Sequence, residues 1–258
     1  MSLDTLLDGK YLVVTGGSSG IGKEIVEQAS YAGAKVLFTY NTGDNRALEI
    51  AGRTGSDSLK LTLGDQDSTR MFLTIISKQI DYFIANAGME LSGDLRKHTY
   101  DKINSVISAN LTGNLYLLQE LIIGQHMAQN GQIAVIGSIA ADGNHDQLAY
   151  SSSKAGLRAA IETLSRYDSS VKRQNLGIKL IEPAFVRTGM TERFLPVIER
   201  LVRKKGGDQL LQEFRDRFVM EPKDAASRIL NLTTDQNVVG VRQIPEFANL
   251  HRIRETYF

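Results

Sequence analysis

The sequence contains no cysteine among its 258 residues, and this absence excludes disulfide bonds, thiolate zinc sites and cysteine nucleophiles. It is also typical of a protein in a reducing compartment. Neither sign of charge predominates, since 30 basic and 29 acidic residues give a net charge of only +1. That balance gives no electrostatic reason to expect nucleic acid or an anionic membrane as a partner.

Long apolar runs are also absent. No window approaches the ~18 uncharged apolar residues of a membrane-spanning helix, and the first ten residues lack the apolar segment of a signal peptide. We therefore expect a cytoplasmic protein with no membrane partner. Proline is scarce, with four in the chain, and no Pro/Gly-rich linker interrupts it, so we expect residues 1–258 to form one domain.

Short runs rich in β-branched and aromatic residues alternate with helical patterns along the chain. Each run is continuously apolar, which is typical of strands covered on both faces. The alternation predicts βαβ units and a parallel sheet with right-handed crossovers. The seven predicted strands span residues 11–15, 35–40, 59–63, 81–85, 132–137, 178–182 and 239–244, and the helical stretches include residues 100–127 and 148–172.

Residues 188–220 differ from the rest, because they form a long helical insertion between the sixth and seventh predicted strands. Apolar residues such as Phe194, Ile198, Leu211 and Phe214 recur there at helical spacing. Ordinary amphipathic packing explains this pattern. A mobile lid over a substrate pocket is the functional alternative, which the position of the segment in the chain favours.

A glycine-rich turn follows the first predicted strand and opens a helical stretch. Such a turn presents free backbone N–H groups and the positive end of a helix dipole, which together favour a phosphate. The chain matches the P-loop pattern up to Lys23, but Glu24 stands where the magnesium-binding hydroxyl belongs. Gly16, Gly20 and Gly22 approach a dinucleotide fingerprint with altered spacing. A structural turn without a ligand is the third possibility, and the turn alone does not name the nucleotide.

Residues further along the chain bear on this choice. Tyr150 and Lys154 are four residues apart on a predicted helix and therefore share one face. An ammonium near a phenol lowers the phenol pKa from its usual ~10, so that the phenol can exchange a proton with a carbonyl or alcohol oxygen. Ser138, at the end of the fifth predicted strand, can hold that oxygen in place. Each residue alone has an ordinary structural explanation, but this order on these elements indicates proton-transfer chemistry at a nucleotide site.

Together with the turn at residues 15–22, the Asn-Ala-Gly sequence at residues 86–88 and Asn110, these residues resemble the short-chain dehydrogenase/reductase family of the single-domain type. The resemblance runs from about residue 10 to residue 186. It implies an α/β Rossmann-type fold, in which a doubly wound parallel sheet of about seven strands has helices on both faces. It also implies a nicotinamide cofactor, whose C4 atom exchanges a hydride with the substrate carbon, and no metal.

The resemblance further implies a role for each matching residue. Tyr150 would be the general acid/base, Ser138 would hydrogen-bond the substrate oxygen, and Asn110 would hold a water in a proton relay. Lys154 would bind the nicotinamide ribose and tune Tyr150. The residues implied to contact the cofactor are Gly16, Ser18, Ser19, Gly20, Ile21, Gly22, Tyr40, Asn41, Asp65, Asn86, Ala87, Gly88, Tyr150, Lys154, Pro183, Val186 and Thr188.

The end of the second predicted strand favours NADP(H) over NAD(H). Tyr40 and Asn41 stand where NAD-preferring relatives carry a carboxylate, which would repel a 2′-phosphate. Arg46 is the nearest guanidinium and Lys23 lies on the preceding helix, whereas Asp44 opposes a phosphate. An ordinary solvated position for Arg46 is an equal alternative.

Three loops are expected to line the substrate pocket, at residues 89–98, 139–147 and 188–220. Their mixture of basic, polar and apolar side chains suits a small carbonyl or hydroxy compound, or an acyl group on a carrier, and the sequence leaves both open. From the resemblance we expect a homodimer or homotetramer. A non-enzymatic cofactor-sensing or scaffold protein on the same fold is the alternative, whereas Glu24 and the downstream residues disfavour a P-loop phosphotransferase.

Overall fold

Nine strands and ten helices are found in the part of the chain that the computed structural model describes, which comprises residues 2–144, 146–238, 240–244, 253 and 256–257. The strands are β1 (Tyr11–Val14), β2 (Lys35–Tyr40), β3 (Asp57–Lys60), β4 (Ile80–Ala85), β5 (Met127–Ile136), β6 (Gly177–Pro183), β7 (Phe185–Val186), β8 (Val219–Met220) and β9 (Gly240–Ile244). The helices are α1 (Leu3–Leu7), α2 (Gly20–Tyr31), α3 (Asp44–Thr54), α4 (Gln66–Ile75), α5 (Tyr100–Ile107), α6 (Gly113–Ile123), α7 (Leu148–Tyr167), α8 (Ser169–Arg173), α9 (Leu195–Phe218) and α10 (Pro222–Thr234).

The main sheet has the strand order β3-β2-β1-β4-β5-β6-β9, and its neighbouring strands pair in parallel. The order reverses between β1 and β4, so the loops after these two strands diverge and leave a crevice at the carboxyl edge of the sheet. A separate two-stranded sheet pairs β7 with β8. The predicted doubly wound, seven-stranded parallel sheet is therefore confirmed.

Both faces of the sheet are covered because its strands are apolar on both sides. Leu12 and Val14 of β1 pack on one face in a cluster that includes Ile25 of α2 and Ile229 of α10. Val13 points to the other face, in a cluster with residues of α4, α6 and α7. Each such fully buried side chain contributes roughly 1.5–3 kcal/mol through its removal from water. These two layers fix the strand ends that carry the candidate site.

Several predicted boundaries differ from the structure. The helix expected at residues 100–127 contains a π-helical turn at Ser108–Thr112 and ends at Ile123, because Gly124 and a left-handed Gln125 turn the chain into β5. The helix expected at residues 148–172 is interrupted at Asp168, whose carboxylate accepts hydrogen bonds from the first N–H groups of α8. β3 begins two residues earlier than expected, and Val239 of the last predicted strand lies outside the described residues.

The segment between β7 and β8 contains α9, which is interrupted at Gly206 and Gly207. The buried side chains of α9 pack in a third cluster with Phe185 of β7 and with Tyr257. Phe214 is central to that cluster, since its ring centroid lies 5.5 Å from those of both Phe185 and Tyr257. Among the helices of the described residues, none is long and apolar enough to span a bilayer.

Candidate active site

The glycine turn after β1 has a shape that only glycine can adopt. Gly16 and Gly20 have φ values of +70° and +54°, in the left-handed region. A Cβ on Gly22 would lie 2.2 Å from the carbonyl oxygen of Gly16, so the first turn of α2 packs directly on the loop. Ser19 precedes α2 without making a side-chain cap bond, which leaves the N–H groups of the helix start available to an anion. The turn therefore fits a phosphate group.

The turn after β1 is tied to the turn after β4 by Thr15 and Asn86. The buried Thr15 hydroxyl accepts hydrogen bonds from the backbone N–H groups of Asn86 and Ala87, both at 3.0 Å. The Asn86 side chain donates in return to the carbonyl oxygens of Thr15 at 3.0 Å and Gly16 at 3.1 Å. These bonds hold Asn86, Ala87 and Gly88 next to the glycine turn.

The opposite wall of the crevice follows β6. The Oγ1 atom of Thr191 donates to the carbonyl oxygen of Val186 at 2.6 Å and accepts from the N–H of Thr188 at 3.0 Å. The methyl group of Thr188 faces the glycine turn, since a Cβ on Gly20 would lie 3.3 Å from its Cγ2 atom. Pro183, Val186 and Thr188 thus face the glycine turn across one continuous cleft of about 890 Å³.

Basic side chains mark the end of this cleft beyond β2. Tyr40 and Asn41 line it together with Arg46 of α3 and Lys23 of α2. The Asn41 Oδ1 atom accepts a hydrogen bond from Thr62 at 2.8 Å, and Lys23 pairs with Glu24 at 3.1 Å within its own helix. The guanidinium of Arg46 folds back over Gly43 and is exposed to solvent.

Tyr150 lies at the centre of the cleft, near the start of α7. Ser138, two residues after β5, lines the same cleft. Burial raises the pKa of Tyr150 to about 12; hydrogen bonding to the Ser138 side chain acts in the opposite direction and lowers it, and the negative charge of Glu90 adds to the increase. Lys154 is not among the groups that shift this pKa here, so the expected tuning of Tyr150 by Lys154 stays a prediction.

Lys154 lies one helical turn after Tyr150 and is almost completely buried. Its Nζ atom donates to the carbonyl oxygen of Ile136 at 2.8 Å and lies 5.8 Å from the centroid of the Tyr150 ring. Burial lowers the pKa of Lys154 to about 8, and the negative charge of Glu182 opposes that shift. The ammonium thus lies between the cleft and the end of β5.

Asn110 is fully buried in the π-helical turn between α5 and α6. Its Oδ1 atom accepts from the N–H of Met89 at 2.8 Å, and its Nδ2 atom donates to the carbonyl oxygen of Met89 at 2.7 Å and to Ser153 at 3.1 Å. A Cβ on Gly88 would lie 3.1 Å from Asn110 Oδ1 and 3.6 Å from Lys154 Nζ. Asn110 therefore fixes the loop after β4 beside α7.

The predicted site residues thus converge at one edge of the sheet. All of them line the cleft except Gly22, Asn110 and Asp65, among the residues that the structure describes. Gly22 packs against Gly16, and the Asn110 side chain is hydrogen-bonded to Met89, so both contact residues that line the cleft. Asp65 lies at the start of α4, where its Oδ1 atom accepts from the N–H groups of Asp67 and Ser68.

The sequence of residues 10–196 matches the family model described as short chain dehydrogenase. The chain belongs to the short-chain dehydrogenase family. It is 30% identical over 190 residues to the 3-oxoacyl-[acyl-carrier-protein] reductase FabG of Escherichia coli, which covers 71% of this chain and 76% of that protein. It is 31% identical over 189 residues to the acetoacetyl-CoA reductase of Synechocystis, with 72% and 75% covered.

Solved structures share the fold of this dehydrogenase. BdcA in complex with NADPH superposes with a TM-score of 0.79 at 22% identity, covering 93% of this chain and 94% of BdcA. The angucycline C-6 ketoreductase LanV with bound NADP gives a TM-score of 0.76 at 23% identity, with 91% and 93% covered. Family membership and the reductase relatives make the chain an NAD(P)-dependent oxidoreductase and overturn the P-loop interpretation of the glycine turn.

Three loops were expected to line the substrate pocket, and only part of each one lines the cleft. We call this part of the cleft the substrate end. Met89 and Glu90 of the first loop line the cleft, whereas Arg96 of that loop is exposed and pairs with Asp94. In the third segment the lining residues are those from Thr188 to Glu192 and Phe194, and Arg203 pairs instead with Asp208 at 2.8 Å. The lining residues of the second loop are Ile139, Ala140, Asn144 and Gln147.

Two features of the site escaped the sequence analysis. A Cβ on Gly17 would lie 2.5 Å from the Cβ of Phe38, so this glycine is needed where the turn crosses β2, although only its neighbours were singled out. Behind Ser138, Arg158 of α7 donates to the buried carboxylate of Glu182 and to Asp142. The recurrence of Lys154 and Arg158 at helical spacing was the only signal that could have indicated this ion-pair network.

Proposed function

We propose that this dehydrogenase transfers a hydride between NADP(H) and a carbonyl or secondary alcohol, with Tyr150 as the general acid/base. The proposal is supported by one observation, the convergence of Tyr150, Ser138 and Lys154 on the cleft that begins at the glycine turn. A phenol and a hydroxyl that meet in this way can both hydrogen-bond a single substrate oxygen. When bound, the nicotinamide supplies or accepts the hydride.

Each residue around that oxygen has a separate role in the proposed reaction. Because the pKa of Tyr150 is raised to about 12, the phenol holds its proton at neutral pH and can donate it to a carbonyl oxygen. Ser138 donates a hydrogen bond that orients the oxygen and stabilises the charge that develops on it. Lys154 binds the nicotinamide ribose with its ammonium, and Asn110 connects the Lys154 side to a water in the proton relay. Oxidation of an alcohol runs the same proton transfer in reverse.

The cofactor lies along the cleft from the glycine turn to β6 in this proposal. The N–H groups of residues 18–21 bind the pyrophosphate, and residues 86–88, Pro183, Val186 and Thr188 flank the nicotinamide half. Asp65, which caps α4, contacts the adenosine half. NADP(H) is preferred because Tyr40 and Asn41 place no carboxylate at the end of β2, while Arg46 and Lys23 supply positive charge there.

The substrate is a small polar carbonyl compound or an acyl compound. The relatives named for 3-oxoacyl groups on acyl carrier protein and for acetoacetyl-CoA support the acyl class and a carrier-bound form. The mixed lining, with Phe185, Met190 and Phe194 beside Asn144 and Gln147, is compatible with both classes. A panel of ketones and 3-oxoacyl thioesters, followed by NADPH consumption, distinguishes between them.

The segment at residues 188–220 acts as a lid in this proposal, within a single domain formed by residues 1–258. Ile139, which follows Ser138, packs in the same cluster as Leu195, Phe214 and Phe185, so movement of α9 would change the substrate end of the cleft. The break at Gly206 and Gly207 supplies a point where the segment can bend. Hydrogen exchange that slows in residues 188–220 when substrate is added supports a lid, and unchanged exchange contradicts it.

We also propose that the enzyme assembles as a homodimer or homotetramer, which is the arrangement that its family resemblance implies. Light scattering coupled to size-exclusion chromatography measures the mass directly. A mass near 57 kDa or 114 kDa, two or four times the 28.5 kDa chain, supports the proposal, and a monomer at micromolar concentration contradicts it.

The substitution Tyr150→Phe tests the catalytic proposal. It should abolish ketone reduction while NADPH binding, followed by cofactor fluorescence, stays within about threefold, because the ring remains and only the transferable proton is lost. Tyr167→Phe is the matched control, since Tyr167 is the last residue of the same helix and is exposed. Retained turnover in the Tyr150 variant would refute the assigned role.

A further inference from the structure

The two ends of the cleft carry opposite charge. Lys23 and Arg46 line the end beyond β2, whereas Glu90 and Glu192 line the substrate end. Among the described residues that line the substrate end, Lys154 supplies the only basic side chain, and it is buried against Ile136. A substrate anion would therefore meet two carboxylates and no accessible cation.

Nearby arginines do not alter that balance. Arg96 lies in the same loop as Glu90 but is paired with Asp94 at 2.5 Å. Arg187 pairs with Glu199 at 2.8 Å and does not line the cleft. Both are thus engaged outside the cleft, and neither is positioned to bind a carboxylate of the substrate.

The backbone just before Glu90 is fixed by the Asn110 side chain. The preceding residue, Met89, has both its N–H and its carbonyl oxygen bonded to the Asn110 side chain, at 2.8 and 2.7 Å. The Glu90 Oε1 atom accepts from Gln147 Nε2 at 3.2 Å, and the Gln147 Oε1 atom in turn accepts from Asn144 at 2.7 Å. Gln147 is almost completely buried and lies three residues before Tyr150.

This chain of bonds leaves one acceptor unused. Among the described residues, no donor contacts Glu90 Oε2, and a carboxylate oxygen can only accept hydrogen bonds. The charge of Glu90 is also close enough to Tyr150 to raise the pKa of its phenol. Glu90 lines the same cleft as Tyr150 and Ser138, so this acceptor is available to a substrate bound in the proposed position.

We infer that Glu90 determines substrate specificity by accepting a hydrogen bond from a hydroxyl, amide or ammonium group of the substrate close to the reacting carbon. The inference rests on the proposed function. It names the substrate class as neutral or cationic carbonyl compounds with such a donor, and it excludes compounds that carry a carboxylate there. The exclusion follows because a substrate carboxylate beside Glu90 would be repelled by its like charge.

Two ketones of the same shape test this inference, acetoacetamide and acetoacetate. The wild-type enzyme should reduce the amide with a kcat/KM at least tenfold higher than that for the anion. Glu90→Gln keeps the shape and an oxygen for Gln147 but removes the charge, so the ratio should fall at least fivefold. Glu49→Gln, an exposed carboxylate of α3 outside the cleft, should leave the ratio unchanged.

A second measurement distinguishes a charge effect from simple damage to the site. Among the described residues, Ser138 after β5 and Glu90 after β4 act on the pKa of the Tyr150 phenol, and Lys154 Nζ of α7 lies 5.8 Å from its ring centroid. Without the Glu90 charge the phenolate forms more readily, so oxidation of 2-butanol with NADP⁺ at pH 9 should become at least threefold faster in Glu90→Gln. A structural lesion would make it slower.

The outcomes separate the two proposals. Reduction of amide and anion with equal kcat/KM, or a ratio that Glu90→Gln does not change, overturns the inference while the proposed function stands. Ketone reduction that persists after Tyr150→Phe overturns the proposed function. A wild-type preference for the amide that collapses in Glu90→Gln, with faster oxidation of 2-butanol, supports the inference.

Discussion

Arg158 donates two hydrogen bonds to the buried carboxylate of Glu182, at 2.7 and 2.9 Å, from a position one helical turn beyond Lys154. A third bond from Arg158 reaches Asp142 at 2.7 Å, in the short helical turn that follows Ser138. The guanidinium therefore connects the end of β6 to the turn that follows Ser138. Glu182 also opposes the lowering of the Lys154 pKa by burial, so the same carboxylate acts on both sides of the site.

Arg158→Met should destabilise the protein by about 3–5 kcal/mol, because it removes the two hydrogen bonds that Arg158 donates to the buried Glu182 carboxylate. The free energy of unfolding in urea measures the loss. The double variant Arg158→Met/Glu182→Gln removes both charges and should recover most of it, since the buried carboxylate that loses the guanidinium is then replaced by a neutral amide. A single variant that loses less than about 1 kcal/mol would contradict the importance of this pair.

The sequence did not predict this network, and the reason is physical. Arg158 and Glu182 are 24 residues apart, and each is an ordinary charged residue until the fold places α7 against β6. Glu90 is equally inconspicuous, because its role depends on Gln147 in a different loop. Local patterns, such as the spacing of Lys154 and Arg158, do not identify the distant partner of a charged residue.

The features that were predicted depend on residues that lie close together in the chain. Gly16, Gly20 and Gly22 are close in the chain because a tight turn needs them together, and Tyr150 and Lys154 share one helix turn. Continuous apolar runs predicted the parallel sheet because both faces of each strand are covered. The π-helical turn at Asn110 was missed, since its residues have ordinary helical character and tertiary bonds to Met89 accompany its position.

Gly22→Ala should weaken NADPH binding at least tenfold and destabilise the protein by about 1–3 kcal/mol. The added Cβ would lie 2.2 Å from the Gly16 carbonyl oxygen and 2.5 Å from Asn86 Nδ2, so the glycine turn must shift. Cofactor fluorescence and thermal unfolding measure the two effects.

Gly52→Ala is the matched control for that substitution. Gly52 lies inside α3, and a Cβ there would meet no atom within 4 Å. The same chemical change should therefore stabilise the protein by about 0.5–1 kcal/mol, because alanine favours the helix. Equal effects of the two substitutions would contradict the close packing of α2 on the glycine turn.

Stability should rise between pH 7 and pH 9.5, and part of the rise should disappear in Lys154→Met. The pKa of Lys154 is about 8 in the folded protein, below its ordinary value of 10.5, so the unfolded chain binds more protons between these values. Stability then increases with pH in that window, by about 2 kcal/mol for this group. Tyr150 acts in the opposite direction only above pH 10, because its pKa is raised to about 12.

Urea unfolding at several pH values checks this expectation. Lys172→Met, at an exposed lysine of α8, is the control and should keep the full wild-type slope. An identical slope in wild type and Lys154→Met would show that the buried ammonium is not the group responsible.

Cofactor preference should depend on the charge at the end of β2. Arg46→Ala should weaken NADPH binding about tenfold and leave NADH binding nearly unchanged, because only NADPH carries the 2′-phosphate that a guanidinium would bind. Tyr40→Asp should weaken NADPH further, since it introduces a carboxylate against that phosphate, and it should improve NADH binding through the ribose hydroxyls. Arg53→Ala, on the same helix but paired with Glu27, should leave the ratio of the two dissociation constants unchanged. If Arg46→Ala lowers the affinities for both cofactors equally, then Arg46 is a solvated helix residue, and the preference for NADPH must come from other residues of the cleft.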